Sequence, residues 1–268
     1  MCGVAVAVVM LLAALGAGAA MWSTADTWLN DVVRDLLPDN PDNLIHTGSG
    51  PAGFCFVFSL ISAVIGVVAA SATSYYVGQT DTRLRNGTCT TGWDLLGAAL
   101  VRSDNGAAYA LPRVAGLPHY PFVERMNTVA ADLGMDQSTF SDPSGVEDDN
   151  LSTARDMTRA VIAASLHPTV HPAASAPYWD LKDHTRNRTK RLYTTNKLVK
   201  RGGTEIVAAK TGYTDTARHC FTAVFRLRDG RQVAMTVLGA WWSRHRWSDV
   251  RKVLAWIERG APGSGEPA

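Results

Sequence analysis

Two apolar runs dominate the first third of the chain. Residues 3–22 and 53–72 contain no charged side chain, and each has about the 20 residues that a helix needs to cross a bilayer. The pattern predicts a transmembrane helix over 53–72. Over 1–22 it predicts a signal peptide or a transmembrane helix, since small residues end this run. Two buried helices of a soluble domain are the alternative. The stretch 23–52 has five aspartates and one arginine and is predicted as an acidic linker.

Beyond residue 87 the pattern changes to short amphipathic segments with both helical and strand periods. This change is typical of an α/β protein, and one domain is predicted over 87–260. Thr91 with Asp94, and Thr153 with Asp156, have the spacing of capping boxes. They predict two helix starts, because the side chain at the first position satisfies a free backbone N–H at the fourth.

A β-hairpin is predicted in the last quarter of the chain. Residues 219–228 and 231–240 are rich in strand formers. They flank Asp229-Gly230, a pair that favours a two-residue turn. A short strand is predicted before them, over 205–209.

The remaining C-terminal segments give weaker patterns. Residues 167–203 are polar and basic and are predicted as irregular. Ser248 is predicted to cap a final helix. The tail 261–268 is rich in proline and glycine and is predicted to be disordered.

Charged residues are distributed unevenly, although the net charge is only +2. All six lysines lie at or after Lys182, and no glutamate precedes Glu124. The first 86 residues therefore look like a different kind of sequence from the rest. The small net charge gives no argument for a nucleic-acid partner.

The cysteines and histidines give no metal-site pattern. Cys2, Cys55, Cys89 and Cys220 form no Cys-x-x-Cys pair, and the histidines form no His-Glu-x-x-His motif. No metal site is therefore predicted. Free core cysteines are favoured over a disulfide between Cys89 and Cys220, which would suit an exported domain.

Two three-residue motifs carry the candidate chemistry. Ser103-Asp104-Asn105, here called the SDN turn, follows a predicted helix. Lys210-Thr211-Gly212, here called the KTG segment, follows a predicted strand. Either motif alone is weak, because short matches arise by chance. Together, in this order and context, they are two of the three signatures of the penicillin-binding serine enzymes, the third being Ser-x-x-Lys.

The surrounding sequence strengthens the match. Leu133-Gly134-Met135, Pro143-Ser144-Gly145 and Ser152-Thr153-Ala154-Arg155-Asp156 follow the SDN turn in the order found in serine D-alanyl-D-alanine carboxypeptidases. The KTG segment, extended by Tyr213-Thr214 and followed by His219-Cys220, is similar to the endopeptidase branch. Residues 87–257 therefore resemble this family of low-molecular-mass penicillin-binding proteins.

The resemblance implies a fold, an activity and a location. The implied fold is an antiparallel sheet flanked by helices, with a helical subdomain that carries the SDN turn, and here it would be incomplete on its N-terminal side. The implied activity is acyl transfer at D-Ala-D-Ala peptides, with no metal or cofactor. The implied partners are peptidoglycan stem peptides, β-lactams and a membrane. The implied location is the bacterial cell envelope, with the domain on the extracytoplasmic face.

The resemblance also implies a role for each motif residue. Ser103 would relay a proton to the leaving group, and Asn105 would hydrogen-bond the peptide backbone of the substrate. Lys210 would place positive charge near the substrate carboxylate and keep the proton mobile. Thr211 would bind that carboxylate, and Gly212 would let the substrate approach the strand closely.

The third signature is missing. Because no lysine precedes Lys182, Ser-x-x-Lys cannot stand upstream of the SDN turn, and the sequence alone names no nucleophile. Three explanations stay open. The chain is a fragment or misread gene with unrelated N-terminal sequence, which the change in composition favours. Or it is an inactive, membrane-anchored pseudoenzyme that binds peptidoglycan. Or its nucleophile comes from elsewhere.

Overall fold

A computed structural model describes most of the predicted domain and a few residues that precede it. The described residues are 56–57, 67–70, 84, 88–115, 117–201 and 204–259. The segments predicted over 1–22, 23–52 and 261–268 lie outside these residues and stay predictions.

Helices make up most of the first half of the domain. Helix α1, Gly92–Gly97, continues as a π-helical turn over Ala98–Arg102. The other helices are α2 Asn105–Val114, α3 His119–Asp132, α4 Ala154–Leu166, α5 His171–Ser175, α6 Lys197–Arg201 and α7 Ser243–Glu258. Both predicted caps are present, because the hydroxyls of Thr91 and Thr153 accept hydrogen bonds from the backbone N–H three residues on.

The described strands form three small antiparallel sheets. The first joins β1 Phe56–Val57, β2 Val67–Ala70 and β3 Thr88–Thr91; the second joins β4 Tyr178–Asp183 and β5 Arg188–Tyr193; the third joins β6 Glu205–Thr214, β7 Arg218–Arg226 and β8 Gln232–Ala240. In the third sheet, Lys210 lies opposite Thr222, and Gly212 lies opposite Cys220. The KTG segment therefore lies within β6, at one edge of the described sheet.

Helices cover both faces of the third sheet. Successive side chains of β7 point to opposite faces and pack against different helices. Cys220 and Val224 belong to the larger apolar core, which also contains the buried face of α4. Phe221 and Phe225 point the other way and pack against α7, where Phe221 makes an edge-to-face contact with Trp247 at 5.1 Å. Burial on both faces fixes the sheet and hence the position of the KTG segment.

The prediction of irregular structure over 167–203 is wrong. This segment contains α5, the β4–β5 hairpin and α6. Five of the six β5 side chains are exposed. A strand of this kind lacks the alternation of apolar and polar residues by which sequence patterns reveal strands.

Two boundaries near the C-terminus also differ from the predictions. The β7–β8 loop has three residues inside the closing pair Leu227 and Arg231, and Gly230 has φ +87°. This is the longer hairpin loop that ends in a left-handed residue, not a two-residue turn. Helix α7 begins at Ser243, five residues before the predicted cap Ser248.

The described part of the apolar run 53–72 is extended. Its residues in β1 and β2 pair with each other, and β2 pairs with β3. A continuous helix over 53–72 therefore does not describe these six residues, since runs rich in valine suit a buried strand as well as a helix. No helix in the described ranges is both long enough and apolar enough to cross a membrane.

The cysteine prediction is confirmed at Cys89 only. Cys89 is buried and belongs to no disulfide bond, whereas the prediction is wrong at Cys220, which is disulfide-bonded. The two are therefore not bonded to each other.

The cap of α4 provides a test of the fold. We expect Thr153→Ala to lower the free energy of unfolding by about 1 kcal/mol, because the N–H of Asp156 loses its acceptor. The matched control is Ser165→Ala, whose hydroxyl bonds only within the last turns of α4. That change should stay within about 0.5 kcal/mol of wild type in urea unfolding. Equal effects of the two changes would contradict the assignment of the cap.

Candidate active site

The SDN turn lies between two helices and has an unusual backbone. The π-helical turn ends at Arg102, and Ser103 follows with φ 60° and ψ 44°, in the left-handed region that few residues other than glycine adopt. Asp104 is buried and caps α2, since its Oδ1 accepts the backbone N–H of Ala107 at 2.7 Å. Asn105 is the first residue of α2. Helix-capping chemistry thus fixes the orientation of this turn.

The KTG segment brings a buried lysine to the SDN turn. Lys210 is only 3% exposed, and its Nζ contacts the Oγ of Ser103. The same Nζ lies 2.9 Å from the backbone oxygen of Thr211. Two residues that are 107 positions apart in sequence therefore form one hydrogen-bonded pair.

The environment of Lys210 favours a neutral amine. Burial, and to a smaller extent the positive charge of Arg246, lower the pKa of Lys210 to about 7. A substantial fraction of the amine is then unprotonated at neutral pH. An amine of this kind can accept a proton from a hydroxyl, as a general base must.

Arg246 anchors the end of the sheet beside this pair. Its Nη1 donates to the backbone oxygens of Gly212 at 3.0 Å and Cys220 at 2.9 Å. Burial lowers the pKa of Arg246 to about 10, so the group stays charged at neutral pH. This residue could not be predicted from the sequence, since no local pattern connects α7 to the KTG segment.

A threonine from another loop completes the wall of the site. Thr195 Oγ1 lies 2.5 Å from Thr211 Oγ1, and the backbone N–H of Thr195 donates to Val101 in the π-helical turn. The loop between β5 and α6 thus contacts both the KTG segment and the π-helical turn that precedes the SDN turn. Thr195 was not predicted either, because it lies in the segment predicted as irregular.

A rigid loop forms the opposite rim. The Oδ1 of Asp142 accepts hydrogen bonds from the backbone N–H groups of Ser144 and Gly145, and Oδ2 accepts from Asn150. Burial alone would raise the pKa of Asp142, but its hydrogen bonds, first that from Ser144, outweigh burial and leave the pKa below the usual value. The ionised carboxylate therefore holds this rim in one conformation.

These elements enclose a cavity of about 410 Å³. Its lining is Ala99, Ser103, Asp104, Asn105, Ala108, Ser144, Gly145, Val146, Thr195, Lys210, Thr211, Gly212, Tyr213, Thr214, His219 and Arg246. All five site residues predicted from the sequence line it. Tyr213 and His219 lie against each other with ring centroids 4.4 Å apart. Within the described ranges, no cluster of His, Cys, Asp or Glu could hold a metal ion.

A family model described as D-alanyl-D-alanine carboxypeptidase matches residues 63–241. The chain belongs to this family. The match begins upstream of residue 87, so part of the sequence expected to be unrelated also fits the family. The predicted family and the predicted α/β fold with antiparallel sheets are confirmed.

The named relatives are longer than this chain. The D-alanyl-D-alanine endopeptidase of Escherichia coli K12 is 32% identical over 172 residues, which are 62% of this chain and 54% of that protein. The D-alanyl-D-alanine endopeptidase of Pseudomonas aeruginosa is 32% identical over 199 residues, which are 72% and 62% respectively. The chain thus spans less than two thirds of either relative.

Solved structures show the same fold. A D-alanyl-D-alanine carboxypeptidase from Mycobacterium tuberculosis H37Rv superposes with a TM-score of 0.68 at 20% identity, covering 99% of this chain and 84% of that chain. The Streptomyces K15 DD-transpeptidase gives a TM-score of 0.66 at 21% identity, covering 94% and 86%.

The buried lysine predicts a pH dependence of stability. Lys210 loses its proton near pH 7 in the folded state, but near 10.5 when unfolded. Between these values unfolding takes up a proton, so stability rises with pH, by at most about 1.4 kcal/mol per pH unit. We expect Lys210→Met to lose this rise, measured as the difference from wild type in urea unfolding between pH 7 and 10. Parallel curves for the two proteins would contradict the lowered pKa.

Proposed function

We propose that this domain is a serine-type D-Ala-D-Ala carboxypeptidase or endopeptidase that acts on peptidoglycan peptides by acyl transfer. The observation that carries the proposal is the meeting of the SDN turn and the KTG segment in one cavity. A serine hydroxyl, an amine with a lowered pKa and a permanent cation are the groups that this chemistry needs.

The guanidinium and the hydroxyl groups that line the cavity suit the terminal carboxylate of the peptide. Arg246 supplies a fixed positive charge at the end of β6, and Thr211 supplies a hydroxyl donor beside it. A charge-assisted hydrogen bond is stronger than a neutral one. This pair would therefore select peptides that end in a free carboxylate next to the scissile bond.

The peptide backbone would be held by Asn105 and by the edge of β6. In the described sheet β6 pairs with β7 on one side only. Its other edge can accept an extended peptide as an added strand. Gly212 has no side chain to obstruct that approach. The Asn105 amide offers both a donor and an acceptor to the opposite side of the peptide.

A binding-only role is the second candidate. The absence of Ser-x-x-Lys from the whole chain favours it. It shares the cavity and the substrate class with the first candidate and differs in turnover. Release of D-alanine from a D-Ala-D-Ala peptide, or cleavage of a cross-linked peptidoglycan peptide, distinguishes the two.

The substrate class implies a location. Peptidoglycan lies outside the cytoplasmic membrane, so we assign the domain to the extracytoplasmic face of the bacterial cell envelope. The apolar run 1–22 would supply export or membrane attachment. Protease accessibility in spheroplasts tests this placement.

The carboxylate site gives the direct test. We expect the chain to bind an N-acyl-D-Ala-D-Ala peptide and not its L-Ala-L-Ala counterpart. Thr211→Val should raise Kd by about ten-fold or more, because one hydrogen bond to a charged group is lost. Calorimetric titration measures both effects. Thr128→Val, an exposed change on α3 outside the cavity, is the control. Equal binding of the two stereoisomers would contradict the proposal.

A further inference from the structure

The cavity lacks an assigned nucleophile, although acyl transfer requires one. No serine in the chain is followed by lysine three residues later. Among the described residues, Ser103 is the hydroxyl that contacts the amine of Lys210. Other hydroxyls of the lining have other partners: Ser144 donates to Asp142, and Thr195 pairs with Thr211.

We propose that Ser103 is itself the acyl-accepting nucleophile of this chain, with Lys210 as its base. The inference rests on the proposed acyl-transfer function and deepens it. It differs from the relay role that family resemblance gives to Ser103, because a relay passes a proton whereas a nucleophile carries the acyl group.

The hydrogen-bond inventory of Lys210 supports the pairing. A neutral amine has two N–H donors and one lone pair. One N–H reaches the backbone oxygen of Thr211 at 2.9 Å. The lone pair can then accept the hydroxyl proton of Ser103. No carboxylate among the described residues contacts this amine, and its charged neighbour, Arg246, disfavours the protonated form. Serine and lysine pairs of this kind are a known variant of the serine nucleophile and its base.

The backbone at Ser103 supports the same role. Its left-handed conformation is held because the N–H groups of Ser103 and Asp104 both donate to the oxygen of Ala98. A serine on a sharp turn before a helix is an arrangement that exposes a nucleophile. Helix α2 begins two residues later, and its cap at Asp104 keeps the turn in place.

Acylation of Ser103 needs no reactant other than the peptide and the two side chains. The Oγ of Ser103 attacks the carbonyl carbon as its proton passes to the Nζ of Lys210. The carbonyl C–N bond breaks, and the leaving nitrogen takes the proton from the ammonium. An ester on Ser103 and a free amine result. With a penicillin the leaving nitrogen stays tethered, so the protein gains the mass of one intact penicillin.

The sequence around Ser103 makes the site of the adduct unambiguous. Trypsin cleaves after Arg102 and Arg113 and releases an eleven-residue peptide in which Ser103 is the only serine and no threonine, lysine or cysteine occurs. We treat the full chain with benzylpenicillin and read intact mass, then the modified tryptic peptide. The expected result is one penicillin on this peptide.

Variants test the roles of the pair. Ser103→Ala should abolish the adduct, and Lys210→Met should slow its formation by about 100-fold or more. Ser248→Ala on α7, outside the cavity lining, should leave the rate unchanged. In wild type the rate should rise with pH through about 7 and then level off, as the amine becomes free. A structural role alone would not produce this profile.

A second variant keeps the shape of the turn. In Ser103→Cys, iodoacetamide should alkylate the introduced thiol at pH 7 at least ten-fold faster with Lys210 present than with Lys210→Met. The same tryptic peptide reports the alkylation.

The outcomes separate the inference from the proposed function. An adduct on another residue, or no adduct on a folded chain that binds the D-Ala-D-Ala peptide, overturns the inference and leaves the function standing. A folded chain that neither binds the peptide nor forms an adduct overturns both. Equal alkylation rates in the two backgrounds overturn the assignment of Lys210 as the base.

Discussion

The burial of one lysine amine at the edge of the third sheet is the constraint on which the site depends. Lys210 is 3% exposed, and no carboxylate in the described part of the chain contacts it. An isolated buried ammonium is costly, so desolvation and the charge of Arg246 favour the neutral amine. The Nζ contacts the Oγ of Ser103, and the lone pair of a neutral amine can accept the proton of that hydroxyl. Burial of Lys210 and its contact with the SDN turn therefore favour the same protonation state.

Different elements of the fold position Ser103 and Lys210. Ser103 is fixed by the end of one helical segment and the start of α2, through the cap at Asp104. Lys210 is fixed by pairing with β7, and Arg246 binds the end of that pair of strands from α7. The Asp142 loop supplies the facing rim through hydrogen bonds inside the loop. A preorganised site of this kind needs little rearrangement when substrate enters.

The sequence predicted the motifs and their local contexts because helix caps and strand patterns are local signals. The caps at Thr91 and Thr153 and the first half of β6 belong to this class; the strand predicted over 205–209 extends in the structure through the KTG segment to Thr214. The β4–β5 hairpin was missed because its side chains are mostly polar and exposed. Arg246 and Thr195 were missed because their roles depend on tertiary contacts with the KTG segment. The pairing of Ser103 with Lys210 also depends on tertiary contacts, so the motifs identified both residues but no nucleophile.

The protonation state of Lys210 tests this account most directly. The chain has only six lysines, so the Cε and Nζ resonances of isotopically labelled lysine can be followed by NMR across a pH titration. Lys210→Met assigns the resonance by removing it. The account predicts a titration midpoint near pH 7 for Lys210. A midpoint near 10.4, the ordinary value for a solvated lysine, would contradict it.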